Sequence, residues 1–550
     1  MKGSSIVDLL LNHEKEQADH IYLKQPRQGK WHEYSWEKTL KQARQVAQFL
    51  LKLGLKKGSH VSIFSKNCAE WFITDFGITL AGMVNVPLFP NQHEESIQYV
   101  LDHAEVKLVF LGKLDNHNEV RQYIPDDLIT AAFDYHQDMM TQYRWVDVLG
   151  TEPLDEVHHP SPEEVYTIIY SSGTSGKPKG AVYTHQSIAN YLAIFPEDIK
   201  RLAELDHYHL LSYLPLAHVY ERSAIQLGSV AISSDVSFVQ SLDTFADNLR
   251  EVEPSLFAAV PRIWGVFKDK IEQKISSGLP HVLLKMPILS NVVKHKVKKQ
   301  LGLSRSEGNV SGAAHLPLSI YNFFEALDIP ILEGYGQTEN LAYATLSLPD
   351  ERKPGYVGTP RLEVEIKKGE NDELLMHCPC LMKEYYKNPE ATEEAFTQEG
   401  WLRTGDIVDI DDMKRVKILG RLSENFKNQK GEFITPTPIE KAFSDNNHIE
   451  HLCLVGRALP SNVMVVSLTN DARGKSKDEI SNRLKKTLKS VNQELKNYEK
   501  ISHVLVVKDT WKVENNFLTP TLKVKRRVVE SEYENDIQEV IEQSDSIIWQ

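Results

Sequence analysis

The sequence predicts an α/β protein with a large layered N-terminal domain, residues 1–420, whose β-sheets are covered, and a small α+β C-terminal domain, residues 421–550. Three observations carry this expectation. Helical and strand periods alternate through about the first 430 residues. The short strand-like runs are apolar almost throughout, which suits sheets buried on both faces. After Gly420 the pattern shortens into an α+β region.

In chain order, Ser35 to Leu53 carries apolar residues at helical spacing until Gly54 and Gly58 break it, and strand-like Val61 to Phe64 follows. Trp71 to Ala81 reads as a helix and Val84 to Leu88 as a strand. Val106 to Leu111, Tyr166 to Tyr170, His209 to Leu214 and Leu256 to Val260 read as further short strands. Beyond Gly420, strands are expected at Leu452 to Val455, Val463 to Leu468 and Val504 to Val507, with a basic amphipathic helix over Ile480 to Leu495. No solenoid-length repeat or low-complexity tract is visible.

The 550 residues are 41% hydrophobic and 25% charged, ordinary globular chemistry that excludes disordered and collagen-like classes. The formal net charge is −13, which argues against a nucleic-acid binder with a generally basic surface. Residues 471–530 are locally basic, with 15 Lys or Arg against 8 acids. That balance suits a lid over anionic groups and equally a solvated helix face. The four cysteines, Cys68, Cys378, Cys380 and Cys453, contain no C-x-x-C pair, so reduced thiols in the cytoplasm are expected. No signal peptide and no eighteen-residue apolar run is seen, which leaves peripheral contact with the inner membrane face open.

Tyr170-Ser171-Ser172-Gly173-Thr174-Ser175-Gly176-Lys177-Pro178-Lys179-Gly180 combines glycines, hydroxyls and lysines, the chemistry of a phosphate cradle. Its glycine spacing is wrong for a Walker A loop, and strand-like Ala181-Val182-Tyr183 follows it, so a P-loop phosphotransferase is disfavoured. A surface loop without ligand has the same composition. Glu333-Gly334-Tyr335-Gly336-Gln337-Thr338-Glu339 reads as a turn that presents Tyr335 to a flat ring and Glu339 to a hard cation, or as a plain turn. Thr404-Gly405-Asp406 places a carboxylate where vicinal hydroxyls could donate to it, and a solvated turn reads the same way.

With Leu214 to Arg222, Gly420-Arg421, Lys430-Gly431-Glu432 and Leu518 to Lys523, these motifs fall in an order that resembles the adenylate-forming (AMP-binding) acyl-CoA synthetase superfamily, most closely its long-chain fatty acid CoA ligases, over roughly residues 5 to 530. The resemblance implies ATP-dependent conversion of a fatty acid, expected to be long-chain, to acyl-AMP and pyrophosphate, then to acyl-CoA and AMP. ATP, Mg²⁺ and coenzyme A would be the co-substrates and metal, with no nucleic-acid partner and homodimer formation left open. Ser171, Ser172, Gly173, Thr174, Ser175, Gly176 and Lys177 would hold the phosphates, Glu339 and Thr174 the metal. Tyr335 would stack on adenine beside Gly312, Ala313 and Ala314, Asp406 and Arg421 would fix the ribose hydroxyls, and Gly336 and Thr338 would belong to the nucleotide site. Lys523 would bridge the carboxylate and α-phosphate, carried on a mobile C-terminal domain that swings about Arg421 to Ser423. By the same resemblance His218 would line the acyl site, although a histidine in an apolar stretch is also an ordinary satisfied core residue, and Lys427 and Lys430 would serve the thioester-forming step.

Five residues depart from that pattern: Ser423 at the hinge, His377 and Cys378 for Arg-Gly, Glu384 for Gly, and bulky His315 at the adenine wall. If either replaced glycine served a positive φ, the local turn must differ. Two other readings remain, a ligase that transfers its acyl group to a carrier protein and a binding protein that has lost turnover. Retention of both Glu339 and Lys523 favours an active enzyme. Acyl chain length and saturation are not legible.

Overall fold

The computed structural model describes residues 3–171, 177–276, 287–444 and 446–550. Its centre is an eight-stranded sheet in the order Glu384–Tyr385, Lys179–Thr184, Val165–Ser171, Val84–Asn85, His60–Phe64, Leu108–Leu111, Ile129–Ala132 and Tyr143–Arg144. The first three strands pair antiparallel and the rest run parallel. Both faces are covered, as the continuous apolar runs required. Leu108 and Phe110 enter one core cluster with Ile63, and alternate residues Val109 and Leu111 enter another with Phe64 and Ile168.

Helix Trp36–Lys52 covers one face. Its N-cap Ser35 accepts from Lys38 N at 3.2 Å, and Trp36, Leu40, Ala43, Ala47 and Leu50 form a buried stripe at helical spacing. The strand expected over Val84 to Leu88 is reduced to Val84–Asn85. Pro87 has no N–H to give, but Val86 N and Leu88 N still bond to Val61 O and Ile63 O.

A five-stranded sheet, Leu256–Ala259, Gly308–Ser311, Ile331–Tyr335, Thr345–Leu346 and Thr359–Pro360, and a four-stranded one, Glu365–Lys368, Glu373–His377, Leu402–Ile410 and Val416–Arg421, flank the cleft. Another sheet orders His209–Ser212, Asp235–Phe238, Ile21–Arg27 and Lys30–Ser35. Thr404-Gly405-Asp406 is therefore not a turn. It lies inside Leu402–Ile410, where Gly405 takes φ +69° beside a register shift. Glu333 to Tyr335 is likewise strand, and the chain turns only at the 3₁₀ segment Thr338–Asn340.

After the short 3₁₀ turn Leu422–Glu424, the chain builds cores of its own. A sheet of Ile449–Val455, Asn462–Leu468, Ile501–Val507 and Ile547–Trp549 buries Met464, Val466 and Val504 on one face, and Val463, Val465 and Leu505 on the other. Helix Lys477–Glu494 packs through Ile480, Leu484, Leu488 and Val491. Its Arg483, Lys485, Lys486 and Lys489 point to solvent and line none of the cavities described below, so this helix contributes a solvated face. The last twenty residues hold six acids and no Lys or Arg, yet they are not a loose end, because Ile547–Trp549 pairs parallel with Ile501–Val507. Among the described residues no helix is long and apolar enough to cross a membrane.

Candidate active site

The C-terminal ends of parallel strands Leu256–Ala259, Gly308–Ser311 and Ile331–Tyr335 open onto a cleft, the position where open α/β sheets bind ligands. Two cavities meet there. The first, about 240 Å³, starts among Gly312, Ala313, Gly336, Thr338, Glu339 and Ser171 and ends among Phe195, Ile199, Leu202, Leu210, Ile232 and Leu256. The second, about 460 Å³, is bounded by Ala313, Ala314, His315, Tyr335, Asp406 and Arg421. Ala313, Tyr335, Gly336, Arg421 and Lys523 line both, so Lys523 stands where an apolar channel joins a polar, aromatic one.

Each polar wall has a local cause. Cross-strand register sets Asp406 opposite Arg421, whose Nε donates to Asp406 Oδ1 at 2.9 Å. Tyr335 Oη and Gln337 Nε2 donate to Oδ2 at 2.6 and 2.7 Å. Burial, with Asp406 alongside, holds the Tyr335 phenol far above its ordinary pKa, so it is a fixed donor. Gly336 is required because a Cβ there would come within 2.5 Å of the Ala342 backbone. Ala313, which lines both cavities, sits at φ +67°, a left-handed conformation uncommon for a residue other than glycine.

Glu339 is held from two sides: Met382 N donates to its carbonyl, and Tyr385 Oη donates to its Oε1 at 2.6 Å. Its carboxylate lines the first cavity and, with Ser171, Lys179 and Arg403, a third hollow of about 300 Å³. Such oxygen donors suit a hard cation. Ser172, Gly173, Thr174, Ser175 and Gly176 lie outside the described residues. Of the flanking residues, Ser171 faces the cavity, and Lys177 Nζ sits 5.3 Å from the Tyr99 ring.

Lys523 follows a tight hairpin in which Thr519 N bonds Lys523 O and Leu522 N bonds Thr519 O, both at 2.8 Å. Leu522 takes φ +62° at its tip, and Asn91 Nδ2 reaches Pro520 O at 3.3 Å. Lys523 keeps accessible surface inside the cleft, yet protein encloses it. That enclosure, reinforced by the Arg421 charge, lowers its pKa. His218, in the first cavity, is pushed down to about 4 by enclosure and by the Lys523 ammonium, so it is neutral near pH 7. Its Nδ1 accepts from Tyr220 N at 3.2 Å.

The rest of Leu214 to Arg222 is bracing. Glu221 Oε1 accepts from Asn67, Ser212 and Tyr213 N, and Arg222 pairs with Asp75 at 2.7 Å with neither side chain exposed. The departures also resolve. Neither Cys378 nor Glu384 has a positive φ, so no glycine conformation is forced on them. His315 lines the second cavity, and burial lowers its pKa to about 3. Lys427 and Lys430 are exposed and line none of these three cavities.

Sequence reasoning missed Gln337 and Tyr385, which orient Asp406 and Glu339, and the apolar channel itself. Gln337 stood inside a quoted motif. Nothing local marked Tyr385.

Comparison with known proteins agrees with this geometry. The AMP-binding enzyme family model matches residues 11–386, and that of the AMP-binding enzyme C-terminal domain matches residues 427–545. Long-chain-fatty-acid–CoA ligase 5 of Rattus norvegicus is 27% identical, covering 95% of this chain and 86% of its own. Fatty acyl-CoA synthetase A of Dictyostelium discoideum is 26% identical over 92% of this chain and 86% of its own. The adenylation domain of a carboxylate reductase from Mycobacterium chelonae superposes with TM-score 0.80 at 20% identity, covering 99% of this chain and 92% of its own. On the match over residues 11–386, with the cleft built as described, the chain belongs to the AMP-binding enzyme family.

Proposed function

We propose that this chain activates a long-chain fatty acid in two steps, first to acyl-AMP with release of pyrophosphate, then to acyl-CoA with release of AMP. The observation that carries the reading is the placement of Lys523 at the junction of an apolar channel and an aromatic, carboxylate-bearing cavity. The fatty acid and CoA of the relatives' names support the substrate assignment.

The acyl chain lies in the channel of Phe195, Ile199, Leu202 and Ile232, with its carboxylate toward Lys523 and neutral His218. Adenine packs on Tyr335 and Gly336 beside Gly312, Ala313 and Ala314, and Thr338 leads the chain on to Glu339. The ribose hydroxyls reach Asp406 and Arg421, and Ser171, Lys177 and the loop between them, Thr174 included, take the phosphates. Glu339, with Thr174, would hold Mg²⁺, which when bound neutralises phosphate charge and sharpens the electrophilic phosphorus. The Lys523 ammonium draws the carboxylate to the α-phosphate and offsets charge there as the P–O bond to pyrophosphate breaks. No covalent enzyme intermediate is needed.

In the second step the CoA thiolate attacks the acyl carbon and AMP departs, after residues 421–550 rotate about Arg421 to Ser423 and withdraw Lys523. The 3₁₀ turn Leu422–Glu424 between separately built cores supports a hinge at that place. The absence of a crossing helix among the described residues and four unpaired cysteines support a cytoplasmic enzyme.

The test is pyrophosphate release across carboxylates from acetate to long-chain fatty acids, with and without CoA. We expect kcat/KM to rise by about fourfold per buried methylene until the channel is full. Thioester should appear only with CoA. Best activity on short acids, or transfer to a carrier protein and not to CoA, would contradict the reading.

A further inference from the structure

We propose that His20, His207 and Asp235 form a binding site for a borderline divalent transition ion of the zinc class. None of the three lines the cavities of the candidate active site. Strands His209–Ser212, Asp235–Phe238 and Ile21–Arg27 are neighbours and parallel, so their N-terminal ends lie side by side. His209 pairs directly with Asp235, His207 precedes the first strand by two residues, and His20 immediately precedes the third. One ligand atom from each of His20, His207 and Asp235 lies within 4.8 Å of the others.

The donor chemistry is selective. Two imidazoles and one carboxylate are a set that zinc takes while keeping a further position for water, whereas magnesium and calcium prefer oxygen alone. Asp235 is buried, 4% exposed, and accepts charge from several sides. Its Oδ1 lies 2.5 Å from His207 Nε2, its Oδ2 lies 3.2 Å from Lys24 Nζ, and His209 Nδ1 approaches both oxygens at 2.9 and 3.0 Å. The His20 ring meets the His207 ring edge-on at 5.2 Å and makes no side-chain hydrogen bond among the described residues. His20 is exposed, which gives an ion a path in.

A tetrahedral zinc with bonds near 2.0–2.1 Å needs ligand atoms about 3.3 Å apart. The His207 Nε2–Asp235 Oδ1 pair, now at 2.5 Å, would open by about 0.8 Å and the wider pairs would close by up to about 1.5 Å, side-chain rotations that leave Oδ1 toward the ion and Oδ2 held by His209 in the outer-sphere role that orients ligands. An ion there would cross-link three chain segments distant in sequence. It would brace the origin of the strand that runs on to His218.

The experiment uses the full-length protein, stripped with a chelator and titrated with Zn²⁺ in excess Mg²⁺, so that oxygen-only sites stay occupied. Retained metal is counted by mass spectrometry, and Co²⁺ in place of Zn²⁺ reports coordination through its visible absorption. One retained equivalent with a low-coordinate Co²⁺ spectrum is expected. Affinity should fall at least about tenfold in His20→Ala and in His207→Ala. Lys24→Met, which removes the ammonium competing for Asp235, should bind as tightly or more so. No retained equivalent in wild type, undiminished affinity in His207→Ala, or weaker binding in Lys24→Met would overturn the proposal.

Discussion

Tyr335 donates its phenolic hydrogen to Asp406 Oδ2 at 2.6 Å, joining the end of strand Ile331–Tyr335 to the middle of strand Leu402–Ile410. With Gln337 and Arg421 also donating, Asp406 has three side-chain partners among the described residues against about four acceptor positions on a carboxylate. One position is left, which the proposed function gives to a sugar hydroxyl. Wild type should therefore prefer ATP to 2′-deoxy-ATP by about 1.5–3 kcal/mol, and Asp406→Ala should erase that preference. Tyr335→Phe keeps the ring, so its KM for ATP should stay within a few-fold, whereas Tyr335→Ala should lose about 1–3 kcal/mol of stacking. Steady-state kinetics with both nucleotides distinguishes these outcomes.

Glu339 and Tyr385 make a second such pair. The 2.6 Å bond from Tyr385 Oη orients the carboxylate, and a hydrogen bond to a charged group contributes about 1.5–3 kcal/mol. Tyr385→Phe should raise the Mg²⁺ concentration for half-maximal pyrophosphate release by about tenfold, and saturating Mg²⁺ should restore the rate. Glu339→Ala should lose most adenylation at any Mg²⁺ while remaining folded. An unchanged Mg²⁺ dependence in Tyr385→Phe would show that the phenol does not act through the metal ligand.

Leu522 occupies φ +62° immediately before Lys523. Left-handed backbone costs a non-glycine residue about 1–2 kcal/mol, and β-branched residues more. Leu522→Gly should preserve adenylation. On the proposed function, in which only the first step uses the hairpin as docked near Asn91, Leu522→Val should slow adenylation several-fold without slowing thioester formation from supplied acyl-AMP.

Burial pushes His185 down to about 4 from 6.5, so the unfolded chain binds more protons between those values. This group therefore removes stability as pH falls from about 6.5 to about 4, by at most about 3 kcal/mol. Glu221 and Glu333, raised by burial to about 8 and 7, act oppositely and remove stability as pH rises from about 4.5 through those values. A His185→Phe variant should flatten the acid limb of the denaturation midpoint against pH and leave the neutral limb unchanged. An acid limb identical to wild type would refute the assignment.

Much of the fold was legible because its signals are local. Strands such as Leu108–Leu111 announce themselves by composition, and helix Trp36–Lys52 by its cap and spacing. The Tyr-Gly and Thr-Gly-Asp segments stood out as motifs, but their backbone state did not. Gly405 looked like a turn and is a bulge within a long strand. The apolar channel could not be seen, since Phe195, Ile232 and Leu256 come together only through packing. The same holds for Tyr385, whose role depends on an edge strand that meets the central sheet late in the chain. The strand Ile547–Trp549 is too short for periodicity to reveal, and its partner strand supplies the order.

The central claim is that Lys523 serves adenylation alone, by standing at the junction of the two cavities in the conformation described. The direct measurement is Lys523→Ala assayed on the two half-reactions separately, acyl-AMP formation from ATP and fatty acid, and thioester formation from supplied acyl-AMP and CoA. The account predicts that the first is abolished and the second retained. Equal loss of both, with the fold intact, would contradict it.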